Sequence, residues 1–218
     1  MIGRNIFILI FFLIGIGAVY NLYLDDILEK INKETEMVFV EGNHTLRGPE
    51  QKGLFGMDSI MDRQMGSMKY TIKPVASYAL EGIIVTKTKY SDRWAWLAPY
   101  DLGIAWGKIT EKNHSKNIRY TTPYRATYFT YSGGPLSVKE IFTMASNNHI
   151  IAANITIERQ VAALKVGDVI LLKGYLVDVD GKADNSAYRY WHTSLRRDDQ
   201  GDGACEVFYV ESVEMIKY

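Results

Sequence analysis

The sequence predicts an α+β domain with a curved antiparallel sheet, preceded by a single transmembrane helix. Residues 5–24 form an unbroken apolar run, and at about 1.5 Å per residue this run is long enough to cross a hydrocarbon core of about 30 Å. Several later segments are rich in β-branched and aromatic residues, which is typical of strands. Short segments with helix start and stop signals lie between them, so we expect two or three short helices.

The apolar run favours an uncleaved anchor over a cleaved signal peptide. It is long for the apolar core of a signal and lacks a good cleavage site. The positive charges on the two sides of the run are nearly equal in number and do not decide its orientation, because Arg4 and the α-amino group precede the run while Lys30 and Lys33 follow it. We expect a single-pass protein of the inner membrane, with a cytoplasmic N-terminus and an extracytoplasmic C-terminal domain. The lipid bilayer is then one partner, through residues 5–24.

Length and charge limit the remaining organisation. We predict an anchor over 1–24, an amphipathic stalk and linker over 25–69, and one α+β domain over 70–218. The 25 basic and 25 acidic residues cancel to a formal net charge of zero. A neutral chain has no general electrostatic attraction for nucleic acid, so we predict no nucleic-acid partner.

Methionines mark the predicted linker. Their spacing of 4, 4 and 3 residues places them on one face of a helix; they are Met57, Met61, Met65 and Met68. Thioethers are ligands for Cu(I). Because no histidine or cysteine accompanies them, we interpret the stripe as flexible packing and predict no cofactor.

The domain's elements follow in order. Alternating or β-branched segments predict strands over 78–90, 119–132, 168–179, 187–195 and 205–214. Residues 94–107 are dense in aromatics and look too irregular for a strand. A capping box formed by Ser137 and Glu140 predicts a helix over 138–147. A second short helix is predicted over 156–164.

Two resemblances add to this pattern. Residues 164–177, which begin Leu-Lys-Val-Gly-Asp-Val, resemble the first strand of small OB-like or SH3-like barrels, which implies a β-barrel. Three blocks together resemble an uncharacterised family of bacterial single-pass membrane proteins: 101–107, 147–153, and 194–206 with its SLxRxDxGxGxCE-like pattern. That family implies a membrane location but no reaction. The chain departs from the related pattern at Ala152, where a proline is usual.

The densest polar cluster is the loop at residues 196–203. Arg196 and Arg197 are bidentate donors, and nearby glycines let backbone N–H groups approach an anion. The alternative, that the arginines pair locally with Asp198, Asp199 or Glu206, stays open. An aromatic platform that includes Trp106 is a further candidate, although such residues are often core. The predicted ligand-binding residues are Arg196, Arg197, Asp198, Asp202, Glu206, Trp106 and His149.

The aspartates of this loop also suggest a hard cation such as Ca²⁺. Aligned as an EF-type loop from Asp198, however, the segment has Gln200 at the third position and Tyr209 at the twelfth, where a bidentate Glu belongs. We therefore predict a solvated turn and no metal.

Cys205 raises an enzymatic alternative. A thiol nucleophile needs a base within hydrogen-bond reach, and His149 or His192 could serve, with Asn147 or Asn148 available near His149 to orient it. His149 is expected to follow a helix end, where the macrodipole favours a cation. A buried thiol at the start of an apolar strand is the commoner situation. The predicted function is a membrane-anchored, extracytoplasmic binding domain with a protein partner in the membrane or envelope. The alternative is a membrane-associated cysteine hydrolase using Cys205 and His149.

Overall fold

Strands dominate the fold, and the helices between them are short. The computed structural model describes residues 23, 37–41, 46–183, 187–199, 201 and 203–217. The strands are β1 Val38–Glu41, β2 Glu50–Gly53, β3 Met61–Met65, β4 Met68–Lys89, β5 Tyr100–Ala105, β6 Ile118–Thr121, β7 Tyr128–Tyr131, β8 Ala145–Ala152, β9 Val169–Ala183, β10 Tyr188–Trp191 and β11 Glu206–Lys217. The helices are α1 Lys112–Ser115, α2 Val138–Thr143 and α3 Ile155–Ala163, with a 3-10 helix at Gly107–Thr110.

Five strands close into a ring. The long strands β4 and β9 pair antiparallel along the length of β9, and β5 pairs with the second half of β4. On the other side β8 joins β5, β11 joins β8 in parallel, and β11 returns to β9. Alternate side chains of each strand therefore point into a shared interior. Tyr78 and Phe208 meet edge-to-face there, with ring centroids 4.9 Å apart, and α3 adds Ile157 and Val161 to the same core.

The long pair β4–β9 continues beyond the ring. At this end β3 pairs with the first residues of β4, and β10 pairs with the last residues of β9. A second core lies against this extension, where Tyr70 packs against Trp94 and Trp96. A separate two-stranded sheet, β6–β7, packs with Ile141 of α2 into a third, smaller core.

The predicted fold class, an α+β domain behind a transmembrane helix, is wrong. The described chain is mainly β, and its sheet is mixed rather than antiparallel, because both β1 and β8 pair in parallel with β11. Among the described residues no helix has the length and apolar character needed to cross a membrane. The segment from which that helix was predicted, residues 5–24, lies outside the described residues.

Local errors explain much of the difference. The capping box of Ser137 and Glu140 is confirmed, but α2 ends at Thr143 and the chain continues as β8. Residues 94–107 contain β5, which was predicted to be irregular. The methionine stripe is wrong as a helix, because Met61 to Met65 form β3 and Met68 opens β4. Residues assigned to the linker thus already belong to the sheet.

Candidate functional site

A cavity of about 350 Å³ lies between the loop that precedes β11, the hairpin β6–β7 and the start of β8. One part of its lining is aromatic: Tyr120, Tyr124, Tyr128, Phe129 and Phe142. The other part is polar: Thr127, Ser146, Asn147, Arg196, Arg197, Asp199, Cys205 and Glu206. The loop predicted to bind a ligand therefore forms one wall of a concave site.

Local hydrogen bonds hold that loop in place. The Ser194 amide donates to the Cys205 carbonyl at 3.0 Å, which closes the base of the loop. The Ser194 hydroxyl donates to Oδ2 of Asp199 at 2.5 Å. Glycines at 201 and 203 adopt positive φ, a conformation that glycine reaches without the steric cost of a Cβ.

Both arginines of the loop pair with carboxylates. Nη1 of Arg197 donates to Oε1 of Glu206, and Nε of Arg196 donates to Oδ1 of Asp198 at 3.0 Å. Arg197 also reaches Tyr78 Oη and Gln51 Oε1, each at 3.3 Å. The local pairs that the sequence leaves open as an alternative are therefore present in the loop, and its role in binding a ligand stays a prediction.

Glu206 is the most deeply buried charged residue of the lining. It is 1% exposed, and its second oxygen, Oε2, has no hydrogen-bond partner among the described residues. The neighbouring strand places Asn148 opposite it in parallel register. Both side chains therefore lie on the same face of the sheet.

Two tyrosines near Glu206 stay neutral at ordinary pH. Burial raises the pKa of Tyr120 to about 12, and within the described chain its buried hydroxyl lacks a hydrogen-bond partner. Burial also raises the pKa of Tyr78, against the opposing effect of the Arg197 charge. Of these two, Tyr120 lines the cavity, which thus offers a neutral phenol together with the carboxylate of Glu206.

A buried charge cluster lies on the face of β8 that carries Asn147 and His149, opposite to the face of Asn148 and Glu206. Asp101 is 0% exposed, and its Oδ1 accepts from Nη1 of Arg125 at 3.0 Å. The same oxygen lies 2.9 Å from Nδ1 of His149, an ion-pair contact when the imidazole is protonated, though not an aligned hydrogen bond. Arg125 also stacks over the Tyr90 ring at 4.2 Å and binds Asp92.

Cys205 and His149, which were proposed for nucleophilic catalysis, have different surroundings. Cys205 lines the cavity and contacts the Arg125 carbonyl, with Sγ at 3.8 Å. His149 is 4% exposed, and its ring packs on Trp191 with centroids 4.5 Å apart. The prediction that His149 follows a helix end is wrong, because it lies within β8.

The other predicted ligand-binding residues lie in different parts of the structure. Trp106 is buried in the ring core and fills the space beside Gly48, so it is not part of the cavity lining. Asp198 pairs with Arg196 on the loop surface. Asp202 lies outside the described residues. Within the described ranges, no group of three or more His, Cys, Asp or Glu side chains is arranged to hold a metal ion.

Sequence reasoning missed the aromatic wall and the Asp101–Arg125 pair. Asp101 lies in the first of the three blocks of the family resemblance. The first two blocks fall on the adjacent strands β5 and β8, and the third forms the loop that ends at the first residue of β11. Arg125 gave no signal, because it lies in a loop with positive φ between two strands predicted as one. The structure alone brings these residues together.

No family model, curated protein or solved structure matches this chain. Its function is therefore inferred from the cavity and its chemistry.

Proposed function

We propose that residues 37–217 form a binding domain that receives a side chain of a partner protein in the cavity. The observation that carries this proposal is the polar loop before β11, which was singled out in the sequence and forms one wall of a site with an aromatic opposite wall. A volume of about 350 Å³ is near the lower end for ligand sites. It suits one large side chain better than an extended cofactor.

Exposed aromatic residues at the rim support a protein partner. Tyr124 and Tyr128 line the cavity and are largely exposed. Tyrosine is enriched at interfaces because its ring buries apolar area while its hydroxyl still bonds to water or partner groups. The predicted extracytoplasmic location would put this partner in the cell envelope.

Peptide selection tests this proposal while the natural ligand is unidentified. Short random peptides displayed on phage are panned against the purified full-length chain, and bound clones are then tested after Cys205 is alkylated with N-ethylmaleimide. We expect enriched peptides that lose binding on alkylation, because the adduct occupies the cavity. The Cys205→Ser variant, treated in the same way, should keep binding. Failure to enrich any peptide, or binding that alkylation leaves unchanged, would contradict the proposal.

The hydrolase alternative stays a prediction that thiol kinetics can test. His149 is directed toward Asp101 and covered by Trp191, and nothing in this geometry favours a role as the base for Cys205. We expect Cys205 to react with iodoacetamide no faster than free cysteine at the same pH. A much faster reaction would indicate an activated thiolate and would revive the hydrolase.

A further inference from the structure

Resting on the proposed function, we infer that the group received by the cavity is a primary ammonium, as at the end of a lysine side chain. The starting point is what the lining residues still lack. Oε2 of Glu206 is buried and without a hydrogen-bond partner in the described chain. A buried carboxylate oxygen that has lost water and gained no donor is costly, so this position favours a donor from outside.

An anionic ligand fits the site less well. Both guanidinium groups of the loop are already engaged, Arg197 with Glu206 and Arg196 with Asp198. An anion beside Arg197 would lie next to the Glu206 carboxylate that this guanidinium already binds. Arg196 bonds to Asp198 through Nε alone, and its side chain is 70% exposed, so an anion on its other N–H groups would lie at the loop surface and not inside the cavity. A cation at Oε2 of Glu206 leaves both pairs in place. The unpaired carboxylate oxygen of Glu206 can only accept, and the ligand should therefore carry donors.

Asn148 carries a second buried acceptor, behind the cavity lining and opposite Glu206 in the register of β8 and β11. Its Nδ2 lies 3.2 Å from the Leu102 carbonyl and 3.4 Å from the Ser146 carbonyl. Carbonyl oxygens only accept, so this end of the amide must be the donor, and the orientation of the side chain is fixed by its neighbours. Oδ1 is thus the acceptor, and no described residue donates to it.

The aromatic wall completes the site for a cation. Phe129 lies at its centre, 4.8 Å from the Phe142 ring and 6.5 Å from the Tyr120 ring between centroids. Ring faces attract ammonium groups through their quadrupole. Tyr120 lines the cavity as well, and its buried hydroxyl has no hydrogen-bond partner within the described residues. The apolar stem of a lysine would be covered by the same rings.

The geometry favours an ammonium over a guanidinium. A guanidinium binds a carboxylate best through two parallel hydrogen bonds, which use both oxygens. Here Arg197 already occupies Oε1 of Glu206. One oxygen remains, and a compact group with three rotatable donors can use it together with separate acceptors nearby.

The experiment uses small probes that differ only at the charged end. The labelled full-length chain is titrated with Nα-acetyl-lysine N-methylamide, its Nε-acetylated form, and the corresponding arginine compound, while the amide resonances of residues 145–147 and 204–206 are followed by NMR. We expect shifts at these positions with the lysine probe. The neutral Nε-acetylated probe should bind at least about tenfold more weakly, since it lacks the charge-assisted bond, and the arginine probe should also bind more weakly.

Variants provide the matched control. Glu206→Gln should weaken the lysine probe by about tenfold or more, whereas Glu214→Gln should not. Glu214 lies on the same strand and is also ion-paired, with Lys173 at 2.7 Å, but it is not part of the cavity lining. If Glu206→Gln does not fold, Phe129→Leu tests the aromatic wall in its place.

The outcomes separate this inference from the proposed function. Equal binding of the acetylated and unmodified probes would overturn it. The absence of shifts at the cavity amides would also overturn it and would mean that water alone satisfies Glu206. In either case peptides selected by panning could still bind, and the proposed function would stand with a different anchoring group. Peptides that fail to bind while the lysine probe does would overturn the proposed function instead.

Discussion

Replacing Arg125 with methionine should destabilise the domain through the charge it leaves behind. Asp101 is 0% exposed and loses its hydrogen bond from Nη1. Removing one partner of a buried ion pair costs about 3–5 kcal/mol, because the remaining charge loses its permanent counter-charge. His149, 2.9 Å from the same oxygen, offsets this loss only when its imidazole is protonated. The bond to Asp92, whose side chain is 41% exposed, adds only about 0.5 kcal/mol. We therefore expect the free energy of unfolding to fall by about 3–5 kcal/mol.

Urea unfolding followed by circular dichroism measures this change, with Arg119→Met on an exposed strand position as the control. The control should stay within about 0.5 kcal/mol of the parent. A second substitution, Asp101→Asn, added to Arg125→Met should restore part of the loss, because the unpaired charge is then gone. A loss below about 1 kcal/mol for the single variant would refute the reasoning. So would a double variant less stable than the single one.

Three further predictions follow from particular contacts. Lys87→Met should lower the free energy of unfolding by about 2 kcal/mol, because its Nζ donates to three carbonyls at the end of α3 at 2.7 to 2.9 Å. The assay is a thermal melt, and the control is Lys89→Met, since both lysines lie over the Tyr100 ring. Gly174→Ala should cost more than about 2 kcal/mol, since its φ is +156° and a Cβ would clash with a main-chain oxygen of β11, whereas Gly53→Ala meets open space. The hydrogen bond from the facing guanidinium lowers the pKa of Asp92 below its ordinary 3.8. Its stabilising contribution is therefore present above that value and lost as the pH falls through the lowered pKa, and the D92N variant should flatten this acid limb in urea titrations across pH.

The sequence predicts those helices and strands whose signal lies within the element itself. The capping box at Ser137 and Glu140 gives the start of α2, and the apolar stripe over 156–164 gives α3 within a residue at each end. The strands predicted over 168–179 and 205–214 overlap β9 and β11, each beginning one residue early and ending a few residues short. Each of these signals lies within about ten residues of chain, so no distant partner is needed to read it.

The long-range features of the fold could not be predicted from the sequence, for a physical reason. The parallel pairing of β8 with β11 depends on contacts across more than fifty residues. The helix predicted over 138–147 takes in the first residues of β8, because a helix start precedes them. The cavity is a product of that pairing. Arg197 and Glu206 could be marked as polar residues of one loop, but the aromatic wall opposite them comes from the hairpin β6–β7. A loop with positive φ at Tyr124 and Arg125 divides the strand predicted over 119–132 into the two strands of that hairpin. The propensities of these two residues do not indicate a loop.

The order of strands in the ring bears on how the chain emerges during synthesis. β11 follows the other four ring strands in the sequence, yet it bridges β8 and β9. A nascent chain that has not yet produced β11 leaves both of those strands with unpaired edges, which are templates for pairing with other chains. Because the contacts that close the ring join distant segments, closure is expected to be slow. A ribosome stalled before residue 206 should therefore yield an aggregation-prone product, and supplying β11 as a separate peptide should restore its solubility.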